Sequence, residues 1–379
     1  MRTIPIEIMG EARPITFNFT FSIDQKGGTP MNDLKSAYRG CLLGLAVGDA
    51  LGEPADKLTW DQIREDFGPL GLMGYAGDNP RITSHTQLCA FTANGLLLGQ
   101  TRGQISGKMA PFARYMALAQ KEWAKAQRPH SRQPERTYCW VYWLEQLRRR
   151  ACADSRMPDM LASERLGTPE EPINRLDGSG SLTAAVAAGL FGVDPAPMGA
   201  DAVALTYGHS TAILSGAIVA DLIHRVVHRR GETLEELLRR SLAAVEEQFS
   251  PRFPKARTVT AAVAYAMDLA LQRKGSLEML VCQTAPQVLA GAAYTLMACD
   301  HDFDAAMVMA VNHSGRSSAV AALTGAILGA YLGDEALPAF YVEGLDVVKP
   351  LKTLADDLRR GCPTPMDLEW DRKYIQGEP

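Results

Sequence analysis

The chain lacks the spacings that mark covalently or metal-braced folds. Its seven cysteines (Cys41, Cys89, Cys139, Cys152, Cys282, Cys299 and Cys362) are odd in number, scattered, and contain no CxxC pair. That excludes a disulfide framework and a cysteine zinc site, and leaves reduced, mostly buried thiols in a cytoplasm as the expectation. There is no leader-like start: "MRTIPIEIMGEARP" interrupts its apolar residues with Glu7, Glu11 and Arg13, so a signal peptide is not expected. The apolar stretch nearest to it, "CLLGLAVGDALG", is about a dozen residues long and holds Asp49, too short and too polar to span a bilayer. Neither sign of charge dominates, 39 Lys and Arg standing against 43 Asp and Glu for a net of −4. Neither nucleic acid nor a membrane surface is therefore expected as a partner. Beyond residue 30 strands do not alternate with helices and no repeat period is visible, which excludes a parallel sheet and a solenoid.

What is present is a chain of 379 residues, 46% hydrophobic and 22% charged, enough to bury a substantial core. Its first thirty residues differ in kind from the rest. Ile4, Ile6 and Ile8, then Ile15, Phe17, Phe19, Phe21 and Ile23, alternate with other residues. That period of two belongs to strands with one buried face, joined as a hairpin through "MGEARP". "QKGGTP" (25–30) reads as a linker. The expected division is a β arm and linker over 1–30 and one all-α domain over 31–379. Asn32 or Asp33 is the N-cap expected for the first helix, and further helices are expected over 86–99, 107–127, 137–151, 181–191, 209–230, 233–248, 257–273, 286–299 and 318–333. Thr233 and Glu236 have the spacing of a capping box.

Gly40, Gly44, Gly48 and Gly52 recur at four-residue intervals on one face of the first helix. Glycine weakens helices, so a close approach to the backbone is implied, by another helix or by a ligand at the helix end. Four places carry more polar structure than packing requires. "GDALGEPAD" clusters Asp49, Glu53 and Asp56. "RITSHTQL" places Thr83 or Ser84 as a helix cap. "DGSGSLTAA" (177–185) is a glycine and serine loop suited to phosphate or ribose contact through backbone N–H groups. "NHSGRSSAVAALTG" (312–325) runs from a polar turn into an alanine-rich helix.

In order and spacing, "RGCLLGLAVGDALGEPAD", "ITSHTQL", "DGSGSLTAAVAAGLFG", "ALTYGHSTAILSGAIVADLI" and "AVNHSGRSSAVAALTGAILGAYLG" resemble the ADP-ribosylglycohydrolase family over residues 36 to about 335. The resemblance implies a compact all-α fold, here with a short β-hairpin arm added. The implied activity is removal of ADP-ribose from modified side chains or related conjugates, at a two-magnesium centre. The family's first ligands come from a Ser/Thr-Asp-Asp-Thr run, which here reads Thr83, Ser84, His85, Thr86. The others come from an Asp-x-Asp-Ser/Thr run, which here reads Arg316, Ser317, Ser318, Ala319. Thr83 alone remains as a ligand. Asp56 stands where the family usually has Glu, and Tyr207 replaces a histidine while His209 is kept.

Magnesium asks for octahedral oxygen ligands, and a metal pair asks for several carboxylates. A guanidinium repels a cation and cannot coordinate it. The resemblance therefore implies a catalytically inactive member with no cofactor, its magnesium pair lost. Its vestigial pocket would hold Asp49, Asp56, Thr83, Ser84, His85, Asn312, His313, Ser314, Gly315, Arg316, Ser317 and Ser318. Three fates for that pocket stay open. Arg316 fills the old cavity and pairs with Asp49, Asp56 or a helix dipole; it faces the phosphate of ADP-ribose in a metal-free pocket; or His85 and His313 with Asp49 or Asp56 hold zinc.

Tyr138, Trp140, Tyr142 and Trp143 are expected to pack in the core or a groove. The basic run Lys121, Lys125, Arg128, Arg132, Arg136 and Arg148 to Arg150 is expected to be a solvated face. With hydrolysis given up, function would rest on surface and shape. The resemblance extends to immunity proteins that protect against ADP-ribosylating toxins, some by plugging the toxin with an N-terminal extension. The expectation is an antitoxin whose partner is an ADP-ribosyltransferase toxin domain, contacted through Ile15, Phe17, Phe19 and Phe21, the arm's other course being to fold back on its own helices. The alternatives are a hydrolase with a rebuilt site and a metal-free ADP-ribose-binding protein.

Overall fold

In the computed structural model the described residues are 34–128, 134–152, 154–163 and 165–379. The expected hairpin with Ile15, Phe17, Phe19 and Phe21, and the Asn32 or Asp33 cap, lie outside them. Helices carry the architecture: α1 (Leu34–Gly52), α2 (Trp60–Phe67), α3 (Ser84–Ser106), α4 (Phe112–Gln127), α5 (Glu145–Arg148), α6 (Met157–Ala162), α7 (Leu182–Phe191), α8 (Pro195–Ala204) and α9 (Ser210–Val227). They continue with α10 (Leu234–Phe249), α11 (Ala256–Leu271), α12 (Ala285–Ala298), α13 (Phe303–Val311), α14 (Ser317–Leu332), α15 (Ala339–Val342), α16 (Val348–Arg360) and α17 (Leu368–Asp371). Among the described residues there is no strand, only isolated bridges of Gly178 with Thr284 and Cys282 with Gly315. The fold is all-α.

The organising contact is α1 against α14, and the glycine face explains it. A β-carbon on Gly40 would stand 2.2 Å from the Gly329 carbonyl oxygen, and one on Gly48 would stand 2.0 Å from that of Ala321. One on Gly52 would stand 2.5 Å from the Ser318 Cα. Each glycine is needed because backbone lies where a side chain would go. Helix packing is therefore what the four-residue interval reports. The same ladder brings the end of α1, which holds Asp49, and Asp56 just beyond it to the head of α14.

Around this pair, α3, α7, α8 and α9 pack as small-residue helices. By length and composition α9 could cross a membrane, but 78% of it is buried inside the protein, as befits a core helix. The Thr233–Glu236 capping box forms at the start of α10, with both reciprocal bonds present.

The expected helix over 137–151 does not form. That stretch holds a single 3₁₀ turn, Trp140–Trp143, and the short α5. Side chains from elsewhere claim its backbone. The Glu122 carboxylate accepts the N–H groups of Tyr138 and Cys139 at 2.7 and 3.0 Å, and Gln87 donates to the carbonyls of Gln146 and Arg149. Trp140 and Tyr142 enter the core, whereas Tyr138 stays exposed. Seven helices the patterning does not announce, α2, α6, α8, α13, α15, α16 and α17, are short or carry proline near their start. Pro195 opens α8, and Pro350 sits in the first turn of α16. Proline is tolerated there because the first turn has no use for its missing N–H.

Candidate functional site

Two carboxylates at the end of α1 each close the N-terminus of another helix. Asp49 is fully buried. Its Oδ1 accepts from Thr83 Oγ1 at 2.6 Å, and its Oδ2 accepts from Thr83 N, Thr86 N and Thr86 Oγ1 at 2.8, 3.0 and 2.6 Å. These are the orphan donors at the head of α3, and a carboxylate there also meets the positive end of the helix dipole. Burial pushes the Asp49 carboxyl up from its ordinary range, and the four donors oppose it. Thr83 is the cap itself, its Oγ1 also accepting from His85 N. Ser84 N donates to the Ala151 carbonyl.

Asp56 follows the 3₁₀ turn Glu53–Ala55 and does the same for α14. Its Oδ1 accepts from Ser318 Oγ at 2.9 Å and from Ser318 N at 3.4 Å, and Oδ2 lies 3.6 Å from Arg316 Nε. Of the partners open to Arg316, it is Asp56 that it faces. The contact is an ion pair without a hydrogen bond, since Nε is buried and unpartnered. Both side chains are largely buried, at 17% and 10% exposure.

The turn 312–316 is a structural hub. Asn312 Oδ1 accepts from Leu72 N at 2.8 Å, and its Nδ2 donates to the Leu72 and Val308 carbonyls. Ser314 Oγ donates to Glu278 Oε1 at 2.6 Å and accepts from Trp60 N at 2.9 Å. Gly315, at φ +143°, is forced by Cys282, whose carbonyl oxygen would lie 2.6 Å from a β-carbon. Its own carbonyl accepts from Lys57 N. Ser317 Oγ donates to the His313 carbonyl at 3.4 Å. Asn312, Ser314 and Gly315 thus tie three loops together rather than aim donors into a pocket. Glu278 and Cys282 matter here and carry no sequence signal beyond ordinary loop composition.

His85 and His313 are buried in this region. Burial lowers His85 to about 4, with Asp56 opposing and the Arg316 guanidinium adding to the shift. His313 is lowered for the same first reason, against nearby backbone of Ser314 and Ala310 and the charges of Glu278 and Asp56. His85 Nδ1 and both ring nitrogens of His313 lack partners with hydrogen-bond geometry.

The glycine and serine loop 177–180 is shaped by Tyr207. A β-carbon on Gly178 would stand 2.5 Å from Tyr207 Cε1, and one on Gly180 would stand 2.6 Å from its hydroxyl. That hydroxyl donates to Asp154 Oδ2 at 3.0 Å. Thr183 Oγ1 donates to the His85 carbonyl at 2.7 Å, tying the head of α7 to α3. His209 caps α9 through Thr211, its Nε2 lying 3.2 Å from Lys255 Nζ.

The residues do not fit the magnesium pair that the sequence resemblance implies. The lone pairs of Asp49 face four donors, those of Asp56 face Ser318 and a guanidinium, and Ser84, His85, Arg316 and Ser318 stand where the resemblance places aspartates. Among the described residues no group of three or more His, Cys, Asp or Glu side chains is placed to hold a metal ion, so the zinc alternative finds no ligand set there. An open groove of about 520 Å³, lined by Arg39, Asp346, Lys349 and Asp356 among others, shares no residue with this site.

The ADP-ribosylglycohydrolase family matches residues 30–367. No curated protein matches the chain. A solved structure titled "ADP-ribosylglycohydrolase-related protein complex" aligns with a TM-score of 0.52 at 20% identity, covering 86% of this chain and 98% of its own. That likeness is one of fold.

Proposed function

Because this chain belongs to the ADP-ribosylglycohydrolase family while its two inward carboxylates are engaged by its own helices, we propose that it is a non-hydrolysing member that works by binding. The partner in this reading is the ADP-ribosyltransferase domain of a toxin, which the protein occludes. One observation carries the loss of hydrolysis: Asp56 lies between Ser318 and the Arg316 guanidinium at the head of α14. A cation entering there would have to displace a tethered positive charge and compete with hydrogen-bond donors for the same lone pairs.

The case for a protein partner rests on the first thirty residues. All but the last of them precede the family match, which begins at residue 30, and their alternating Ile15, Phe17, Phe19 and Phe21 suit strand addition to a partner's sheet edge. Occlusion needs no chemistry from the pocket, so it is compatible with a site whose polar groups serve the fold. All seven cysteines are free, in keeping with residence in a reducing cytoplasm.

The test is stoichiometric inhibition of an ADP-ribosyltransferase toxin domain by the full chain. Inhibition should persist in Asp56→Asn and His85→Gln and weaken on deletion of residues 2–30. Release of ADP-ribose from a modified protein by the purified chain, abolished in Asp56→Asn, would overturn the reading.

A second reading, metal-free capture of ADP-ribose, is favoured by one observation: Arg316 Nε and His85 Nδ1 are buried without partners. Saturable calorimetric binding of ADP-ribose, equal with and without magnesium, would favour it over occlusion.

A further inference from the structure

We propose that residues 370–377 form a latch on the segment 137–151, through which the C-terminal stretch sets the order of the head of α3. The latch lies past the family match, which ends at residue 367, and it is built unlike the helices around it. α17 runs directly into a single π turn, Arg372–Gln376, a form that occurs mostly as isolated turns and often at functional places. Its side chains are nonetheless core residues: Trp370 and Tyr374 are fully buried, and Lys373 nearly so. Trp370 Nε1 donates to Thr101 Oγ1 on α3 at 2.9 Å. Lys373 Nζ lies 2.6 Å from Asp357 Oδ2 on α16, and the Tyr374 hydroxyl donates to the same oxygen at 2.7 Å.

The far end of this stretch closes on the segment whose composition is helical and whose structure is not. The Gly377 carbonyl accepts from Trp143 Nε1 at 2.8 Å, with Thr137 Oγ1 at 3.1 Å. Gly377 has φ +72°, and a β-carbon on it would stand 2.1 Å from the Thr137 carbonyl oxygen. That carbonyl is the acceptor with which a helix over 137–151 would begin, and the latch lies across it. The other end of the segment is fixed to α3. The Ala151 carbonyl accepts from Ser84 N at 3.2 Å, and Gln87 Nε2 donates to the Arg149 carbonyl at 3.0 Å. One short stretch of chain thus meets the latch at one end and the cap of α3 at the other. The seat of the latch is polar, which decides what kind of contact it is. A buried ion pair such as Lys373 with Asp357 gains little over apolar side chains of the same volume. The latch therefore fixes a position more than it adds net stability, and it opens at lower cost than the α1–α14 ladder.

The latch goes beyond the proposed function: failure to bind a toxin would leave it standing, and its failure would leave occlusion standing. The experiment is amide exchange and limited trypsin digestion of the full chain, with Arg148, Arg149 and Arg150 as the cleavage sites inside the segment. Trp143→Phe keeps an aromatic ring and loses one bond to the latch, while Gly377→Ala sets a β-carbon against the Thr137 carbonyl. Trp143→Phe should speed cleavage at these arginines about ten-fold, the worth of one hydrogen bond, and Gly377→Ala should speed it more. In both, exchange over 138–151 should rise together with that of Ser84 N, while α10 and α11 stay as in wild type. Coupling is reciprocal, so Gln87→Ala should in turn raise exchange over 370–377. Gly74→Ala, where nothing lies within 4 Å, is the control. If Gly377→Ala is recovered unfolded, Trp143→Phe alone decides. Exchange over 138–151 or at Ser84 that stays at the wild-type rate, or a rise spread equally over every helix, would overturn the proposal.

Discussion

Gly44 of α1 and Gly325 of α14 lie back to back: a β-carbon on Gly44 would stand 2.1 Å from the Gly325 carbonyl oxygen, and one on Gly325 2.0 Å from that of Gly44. Alanine for glycine inside a helix ordinarily stabilises by about 1 kcal/mol. At this contact the sign should reverse, because backbone cannot give way as a flexible side chain can. Gly44→Ala and Gly48→Ala should each lose roughly 2 kcal/mol or more, read as a fall in the urea midpoint at unchanged slope. Gly74 and Gly77, where nothing lies within 4 Å, should tolerate alanine and serve as controls.

Asp49→Asn should be among the most damaging single-atom changes in the protein. The amide nitrogen would be set against donors now bonded to a carboxylate, leaving at least one of the Thr83 and Thr86 N–H or O–H groups buried and unpaired. A loss of about 3 kcal/mol is expected on the usual scale for buried unsatisfied groups. The check is chemical denaturation, with amide exchange at the head of α3 rising before the rest of the fold opens.

His85 gives stability a defined pH dependence. In the unfolded chain it takes a proton near its ordinary 6.5, while in the folded protein it stays neutral down to about 4. Between those values the unfolded state binds more protons, so stability is fully present above 6.5 and is lost as pH falls towards 4. The difference is worth roughly 3 kcal/mol. His85→Gln should flatten that part of the curve relative to wild type in paired urea titrations at pH 7.5 and 4.5. An unchanged slope would show that His85 is protonated in the fold.

Tyr207 and Gly178 should be strongly coupled. Tyr207→Phe keeps the ring over the loop and loses only the bond to Asp154, which retains Arg156, for about 1 kcal/mol. Gly178→Ala should be destabilising in wild type, where the tyrosine ring is in the way, and much less so in Tyr207→Ala. A double-mutant cycle reads the non-additivity.

Much of this was legible in the chain because its signals are periodic or local. The glycine interval announced a backbone contact, the Thr233–Glu236 spacing announced a cap, and the order of the polar motifs announced the family. What was not legible depends on partners distant in sequence. The residues 137–151 have helical composition, yet Glu122 and Gln87 bind their backbone and prevent the helix. Thr83 stands at a position that the resemblance assigns to a metal ligand, and it and Thr86, from the same run, bond Asp49. Arg316 had three partners open to it, and only folding, which brings Asp56 against a helix head 262 residues along the chain, selects one.

The α1–α14 ladder has a consequence for how such a site changes. Its contacts are made by main chain against main chain, at Gly40, Gly44, Gly48 and Gly52, so the register of α1 against α14 does not depend on the side chains that line the site. A chemical group lining the site can therefore be exchanged without altering the register of the helices that present it. The reverse does not hold: a single residue inserted into α1 between Gly40 and Gly52 would rotate everything after it by about 100° and misplace both carboxylates together.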